Sequence, residues 1–208
     1  MNKKLLAIIA FFCFMGLSFV ACGDDDDDNI DYEWIEYNDK IVADIDKDPR
    51  FTAITSESGN GKIYYRAIDF FAVTPTTTDN DTKTSVAKAS FTPKIDKDGY
   101  PHFTDSIAIR YEGRFYRKDG SFYIFDTTEG DGNGRIARGR VGAFVPGFAT
   151  MLQNMRLKDG EDEVEVCIPY KLGYNTSPPS NSGISVYTTL WFKIKLLDIY
   201  PLNPNEYN

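Results

Sequence analysis

Apolar positions in the first half of the chain change from helical spacing to a β-like pattern. Residues 32–46 place Trp34, Ile35, Ile41, Val42 and Ile45 at roughly helical spacing, which predicts a helix that ends before Asp48-Pro49. Residues 51–73 form two β-rich runs on either side of Ser-Gly-Asn-Gly, which predicts a hairpin. Residues 74–90 have no apolar periodicity and predict an insertion or a long loop.

From Phe103 the pattern is mainly that of β-strands. Residues 106–116 and 122–128 predict two strands joined by a tight turn, in which Asp119-Gly120 supplies the positive φ that such turns need. Residues 129–139, EGDGNGRIARG, predict a flexible connection. Two further strands are predicted over residues 163–170 and 187–200, on either side of a loop rich in Pro, Ser, Asn and Gly.

One helical pattern interrupts these strands. Phe148, Met151, Leu152 and Met155 lie at i, i+3, i+4 and i+7, which is a single apolar stripe, and Gly160 is placed to end the helix. Such a stripe has to be buried against the sheet. The pattern therefore predicts an α+β domain, an antiparallel sheet around one principal helix, with an N-terminal helical extension.

The N-terminal 21 residues predict a secretory signal peptide, because two lysines precede a long apolar run that ends at Cys22. The sequence FVAC resembles the lipobox of bacterial lipoproteins, which implies cleavage before Cys22 and acylation of its thiol. A transmembrane anchor and a secreted protein with an incidental cysteine are the alternatives. Residues 22–31 would form an acidic tether. This acidic run, just after the lipidated cysteine, resembles the signal that sends lipoproteins of Bacteroidota to the outer face of the outer membrane. We therefore expect an outer-membrane lipoprotein at the cell surface, with the periplasmic face as the alternative.

Charge and cysteine content narrow the possible functions. The chain of 208 residues has a net charge of −8. Because binding of nucleic-acid phosphates requires a positively charged surface, no nucleic-acid partner is expected. Three cysteines give no disulfide framework, because Cys13 leaves with the signal peptide and Cys22 would carry lipid. Cys167, in an apolar strand, is predicted to be a small buried hydrophobe, since His102 is the only histidine that could activate it.

Neither acidic cluster has the pattern of a metal site. Asp44, Asp46 and Asp48 alternate as in a calcium loop, but Pro49 follows where a glycine should turn the chain. In the glycine-rich stretch, Arg135 takes the place of a third oxygen ligand. No metal and no cofactor are expected.

Six segments, taken in order, resemble the FKBP-type peptidyl-prolyl isomerases. They are YEG (111–113), FYIFD (122–126), VPGF (145–148), the helix of Met151 and Met155, IPYKLGY (168–174) and TTLWFKIKLL (188–197). The resemblance covers about residues 103–200. It divides the chain into the signal peptide 1–21, the tether 22–31, an N-terminal helix, hairpin and insertion over 32–102, an FKBP-like domain over 103–200, and a tail over 201–208.

The resemblance also implies a pocket for a proline ring. Its floor would be Phe148, where the family most often has Trp, and its aromatic walls would be Tyr111, Phe125 and Phe192. Val145 would lie at the rim, with its backbone N–H turned toward a substrate carbonyl. Asp126 and Tyr174 would be the two polar groups at the edge. Without the resemblance, the four aromatic residues would be interpreted as ordinary core. Asp126 could also be structural, paired with Arg138 or Arg140.

The function implied is a lipid-anchored peptidyl-prolyl cis-trans isomerase that acts on proline-containing clients among exported proteins, binds FK506-type macrolides and reaches the membrane through its anchor. Three departures from the family leave an alternative open. Arg135 stands where a second aromatic residue faces the pocket, Ile184-Ser185-Val186 replaces Ile-Pro-Pro, and Asn175 replaces Gly. The alternative is a catalytically weak or inactive FKBP-like surface lipoprotein that acts as a protein-binding or chaperone-like module.

Overall fold

The structure, a computed structural model, describes residues 30–69, 99–129, 134–157 and 163–202. Several predictions lie outside these residues. They are the signal peptide, Cys22, the insertion at 74–90, Gly160, and most of both the acidic tether and the C-terminal tail.

Two α-helices and seven strands form the described part of the chain. The helices are α1 (Tyr32–Ile45) and α2 (Pro146–Gln153), and two short 3-10 turns span Val141–Ala143 and Tyr170–Leu172. The strands are β1 (Thr52–Thr55), β2 (Lys62–Ala67), β3 (Ser106–Tyr116), β4 (Phe122–Thr127), β5 (Ala137–Arg140), β6 (Glu163–Ile168) and β7 (Leu190–Tyr200). The predicted N-terminal helix, both hairpins and the two late strands are all present.

All strand pairs in the sheet are antiparallel. The strand order is β1-β2-β6-β7-β3-β4, and β5 also pairs with β3. Since β2 pairs with β6, the N-terminal hairpin is part of the same sheet as the strands that follow residue 103. The two longest strands, β3 and β7, lie side by side at its centre, and Gly113 is opposite Phe192 in their register.

Helix α2 packs its apolar stripe against the sheet, as the sequence predicts. Residues 147–152 are all buried in it, and a Cβ at Gly147 would overlap the side chain of Ile168, so the glycine allows helix and strand to approach closely. The helix ends at Gln153, well before the predicted stop at Gly160, and Asn154 caps it. Met155 follows the helix and is still only 2% exposed, so the buried apolar stripe continues beyond the last helical residue.

Helix α1 is held to the rest of the domain by buried polar contacts. The side-chain carbonyl of Asn38, a residue 1% exposed, accepts a hydrogen bond of 2.7 Å from the backbone N–H of Thr189. The indole N–H of Trp34 donates to the hydroxyl of Thr188 at 3.1 Å. Apolar residues further along α1 pack with Tyr64 and other residues of a small second cluster. None of the helices in the described residues is both long and apolar enough to span a membrane.

Buried carboxylates on the sheet are neutralised by neighbouring strands. Glu165 of β6, whose side chain is 5% exposed, binds Arg66 of β2 and Arg114 of β3, each at 2.5 Å. Glu163 binds Lys195 at 2.6 Å. A buried charge is tolerated when it is paired in this way, and removing one partner leaves the other uncompensated.

Two further results concern the sequence predictions. The stretch predicted to be a flexible connection, residues 129–139, contains most of β5, so that part of the prediction is wrong. The backbone of β5 pairs with the first half of β3, which a pattern of apolar residues alone could not show. Cys167 is fully buried, and this burial raises the pKa of its thiol, as expected of a small core residue.

Candidate active site

The structure brings all seven predicted protein residues of the site to one cavity. The cavity has a volume of about 170 Å³ and is lined by Tyr111, Phe125, Asp126, Ala143, Phe144, Val145, Phe148, Tyr174 and Phe192. Strands β3, β4 and β7, the start of α2 and the segment after the second 3-10 turn each contribute to it. A cavity of roughly 150 Å³ can hold a benzene ring, so a prolyl ring fits this one. The catalytic roles of the seven residues stay predictions.

Three pairs of aromatic rings in the walls of the cavity meet edge to face. The ring centroids of Phe148 and Phe192 lie 4.8 Å apart at an interplanar angle of 81°. Phe125 meets Phe192 at 5.5 Å and 89°, and Tyr111 meets Phe148 at 6.3 Å and 81°. A Cβ added at Gly113 would come within 2.7 Å of Phe125 and Phe192, so a glycine in β3 is what admits both rings.

Phe144 is a wall that the sequence analysis missed. Its ring stacks on Phe148, with centroids 4.8 Å apart and planes 26° apart, so the floor consists of two rings rather than one. Ala143, also missed, completes this side. The signal was present in the sequence, because the apolar run AFVPGF places a second aromatic four residues before Phe148.

A tyrosine and a carboxylate form the polar edge of the cavity. The Tyr111 hydroxyl donates a short hydrogen bond to the Asp126 carboxylate. Burial, and then the bond to Asp126, raise the pKa of Tyr111, so the phenol stays protonated as a donor. Asp126 is exposed and its hydrogen-bond partner is Tyr111, so the alternative of a structural pairing with Arg138 or Arg140 is wrong.

Two hydrogen-bond donors beside the cavity have no partner within the described residues. The backbone N–H of Val145, at the N-cap of α2, donates to no other group there, although the Val145 carbonyl accepts from Ala149. The Tyr174 hydroxyl likewise makes no hydrogen bond with the described residues. Burial, and then the charge of Asp126, raise the pKa of Tyr174, which keeps it a donor. Both groups can therefore donate to carbonyls of a bound peptide.

The three departures noted in the sequence have different outcomes. Arg135 is exposed and does not line the cavity, although its charge opposes a small part of the rise that burial and Asp126 cause in the pKa of Tyr111. The segment 184–186 does not line the cavity either; Ile184 is buried in the core instead. Asn175 has φ of +53°, so it adopts the left-handed backbone expected where the family has glycine.

No group of three or more His, Cys, Asp or Glu side chains among the described residues could hold a metal ion. The cavity contains one carboxylate, two phenols and apolar rings, and its lining includes no cysteine, serine or histidine nucleophile. What this arrangement can do is bind an apolar ring and hold the flanking peptide by fixed hydrogen bonds.

Comparisons with known proteins give one family match and similar solved structures. Residues 98–197 match the model of the family described as FKBP-type peptidyl-prolyl cis-trans isomerase. A crystal structure of a peptidyl-prolyl cis-trans isomerase from Pseudomonas syringae pv. tomato has a similar fold, with 18% identity and a TM-score of 0.53, over 81% of this chain and 95% of that one. FkpA from Escherichia coli is 20% identical over 98% of this chain and 75% of its own, with a TM-score of 0.49. Among curated proteins, none has a sequence that matches. The chain therefore contains, over residues 98–197, a domain that belongs to the FKBP-type peptidyl-prolyl cis-trans isomerase family.

Proposed function

We propose that this protein is a lipid-anchored peptidyl-prolyl cis-trans isomerase that accelerates rotation about X-Pro bonds in exported proteins. The observation that carries the proposal is the aromatic cavity of about 170 Å³, open to a prolyl ring, with the Val145 backbone N–H at its rim, which has no hydrogen-bond partner among the described residues. The family of residues 98–197 supports the same reaction class.

The chemistry of the reaction fits an apolar cavity. Rotation about an amide has a barrier of about 18–20 kcal/mol, because resonance holds the C–N bond planar. For X-Pro bonds the cis and trans forms are close in energy, so an enzyme only has to lower the barrier between them. The twisted amide has lost its resonance and is less polar than either planar form, so a water-poor pocket binds it better. No bond breaks, and neither a nucleophile nor a metal is needed.

Specific residues would divide this work. Phe148 and Phe192, which are 2% and 5% exposed, would hold the prolyl ring by shape and burial. The Val145 N–H would fix a carbonyl of the peptide, and Tyr174 would donate to a second one. The bond from Tyr111 holds Asp126 at the edge, where its carboxylate would face the twisted amide.

The test is an isomerase assay on an Ala-Leu-Pro-Phe type peptide, coupled to a protease that cleaves only the trans form. We expect turnover above the uncatalysed rate, and a large loss in Phe192→Ala. The matched control is Ile199→Ala, which removes a buried residue of the same strand, 1% exposed, that does not line the cavity. An uncatalysed rate with the unmodified chain, or equal losses in the two variants, would remove the proposal.

The lipid anchor and the cell-surface location are proposals supported by sequence alone. The apolar run, the FVAC sequence and the acidic run after Cys22 support them, and these residues lie outside the described part of the chain. Metabolic labelling with a fatty acid, compared between the unmodified chain and Cys22→Ser, tests the anchor. Protease shaving of intact cells tests the location: digestion is expected at the surface, and protection would indicate the periplasmic face.

One observation favours a second candidate, a weak or inactive protein-binding module. Neither Arg135 nor the segment 184–186 lines the cavity, so two of the positions where the sequence departs from the family contribute no wall. A pocket that is less enclosed excludes less water and would bind proline with less gain in the transition state. Tight binding of a proline peptide without any turnover would favour this candidate over the isomerase.

A further inference from the structure

A second cavity adjoins the proline cavity and shares one wall with it. Its volume is about 390 Å³, and its lining is Ser56, Glu57, Ser58, Phe103, Gly142, Phe144, Pro146, Ala149, Thr150 and Gln153. Phe144 lines both cavities. We propose that the second cavity is a subsite for a large apolar side chain of the same polypeptide client, a few residues away from the isomerised proline. This inference rests on the proposed function.

The first step concerns the two faces of α2. Phe148, Met151 and Leu152 point to the core. The second cavity is lined by a different stripe of the helix, whose residues at i, i+3, i+4 and i+7 are Pro146, Ala149, Thr150 and Gln153. The first three of these are small. The helix therefore presents a shallow floor on this side, where larger side chains would have filled the space.

The second step concerns an exposed aromatic ring that is held in place. Phe103 is 57% exposed, and its ring lies on Gly142, where an added Cβ would come within 2.6 Å of it. The backbone carbonyl of Phe103 accepts a hydrogen bond of 3.0 Å from the Gly142 N–H. The backbone of Phe103 is therefore fixed at the cavity wall, and more than half of the residue is left accessible to an apolar ligand.

The third step concerns the polar groups. The hydroxyls of Ser56 and Thr150 bind each other at 2.9 Å, and Thr150 also donates to the Pro146 carbonyl at 2.8 Å. Since both side chains are buried and satisfied, they do not call for a polar ligand. The remaining accessible walls are the aromatic rings of Phe103 and Phe144 and three polar side chains, those of Glu57, Ser58 and Gln153, and most of the accessible lining is apolar. The cavity is therefore suited to an apolar side chain.

The fourth step identifies the occupant by continuity. A peptide carbonyl bound to the Val145 N–H would lie next to Phe144, the wall between the cavities. An extended chain covers about 3.3–3.6 Å per residue, so roughly two to four residues carry it across one aromatic ring. A client whose proline occupies the first cavity would thus place a neighbouring side chain in the second.

The experiment uses proline peptides of equal length that differ at one position, three residues before or after the proline, where they carry either Leu or Ser. On one side of the proline, we expect kcat/KM to be about tenfold higher for the Leu peptide, because burial of a leucine side chain adds to binding. Phe103→Ala is expected to bring the Leu/Ser ratio close to one. Tyr32→Ala, which removes a ring 65% exposed that lines neither cavity, should leave the ratio unchanged.

A ratio near one on both sides of the proline would overturn the subsite, as would a ratio that survives Phe103→Ala. If none of the peptides is turned over, the proposed isomerase activity fails, and the subsite is judged by fluorescence anisotropy of the same labelled peptides. Tighter binding of a Leu peptide that is lost in Phe103→Ala would then support it. Equal binding of Leu and Ser peptides would overturn it.

Discussion

Phe148→Ala is expected to lower kcat/KM by a factor of about 10 to 100 and to leave a folded protein. Phe148 is 2% exposed and contacts three other rings, so it provides most of the floor. Burial of one phenylalanine side chain is worth about 1.5–3 kcal/mol, and each 1.4 kcal/mol or so is a factor of ten in rate. The loss should appear in the isomerase assay, because the prolyl ring no longer has a surface to pack on.

The same substitution also destabilises the core, so stability and activity have to be separated. A Phe→Ala change in a core costs about 3–5 kcal/mol. Met151→Ala is the matched control, since Met151 lies on the same helix, is 1% exposed and does not line the proline cavity, and its loss costs about 2–5 kcal/mol. Urea unfolding gives the folded fraction of each variant, and kcat/KM is then expressed per folded molecule. The reasoning is refuted if Phe148→Ala keeps the activity of the unmodified chain, or if Met151→Ala loses as much.

Three other predictions concern stability. Glu165→Gln should lower the free energy of unfolding by about 1.5–3 kcal/mol in a urea titration, because Arg114, whose side chain is 11% exposed, loses its carboxylate partner at 2.5 Å and keeps only Glu112 at 3.6 Å. Asn38→Ala should lower it by about 1–3 kcal/mol, because the buried N–H of Thr189 loses its acceptor. Stability should also fall with rising pH above about 10, since burial raises the pKa of Tyr64 to about 12, whereas in the unfolded chain it ionises near 10.

Each of these has an outcome that contradicts it. Glu36→Gln, an exposed change on α1, is the control for Glu165→Gln. Equal urea midpoints for the two variants would show that the ion pairs of Glu165 do not contribute to the free energy of unfolding. An Asn38→Ala variant as stable as the unmodified chain would mean that α1 is not held by this bond. For Tyr64, the phenol is neutral in the fold and ionises first in the unfolded chain, so the loss begins at the unfolded value. Tyr64→Phe should make the slope shallower, and Tyr111, Tyr174 and Cys167, whose pKa values burial also raises, should keep the rest of it. An unchanged slope would contradict the assignment.

The fold could be predicted from the sequence where local patterns and the family resemblance agreed. The stripe of α2 and the tight turn at Gly120, whose φ is +81°, follow from spacing and turn chemistry. Strand β5 was missed because its alternating arginines carry no apolar signal and its pairing with β3 is made by the backbone. The end of α2 at Gln153 was missed because Met155 stays buried after the helix has stopped.

The site could be predicted to the same extent. Seven lining residues follow from the resemblance, but distances between segments far apart in the chain cannot be taken from a sequence. The partner of Asp126 is an example, because Tyr111 lies on the neighbouring strand while Arg138 and Arg140 are closer to Asp126 along the chain than Tyr111 is. Phe144 was missed because its neighbours Val145 and Phe148 already accounted for the apolar run.

The measurement that tests the central claim most directly is the cis–trans exchange rate of a proline tetrapeptide, observed by NMR with a catalytic amount of the protein. The account predicts exchange faster than the uncatalysed rate, and a return to that rate when an FK506-type macrolide fills the cavity lined by Phe148 and Phe192. Exchange at the uncatalysed rate, in a sample whose spectrum shows a folded protein, would contradict it.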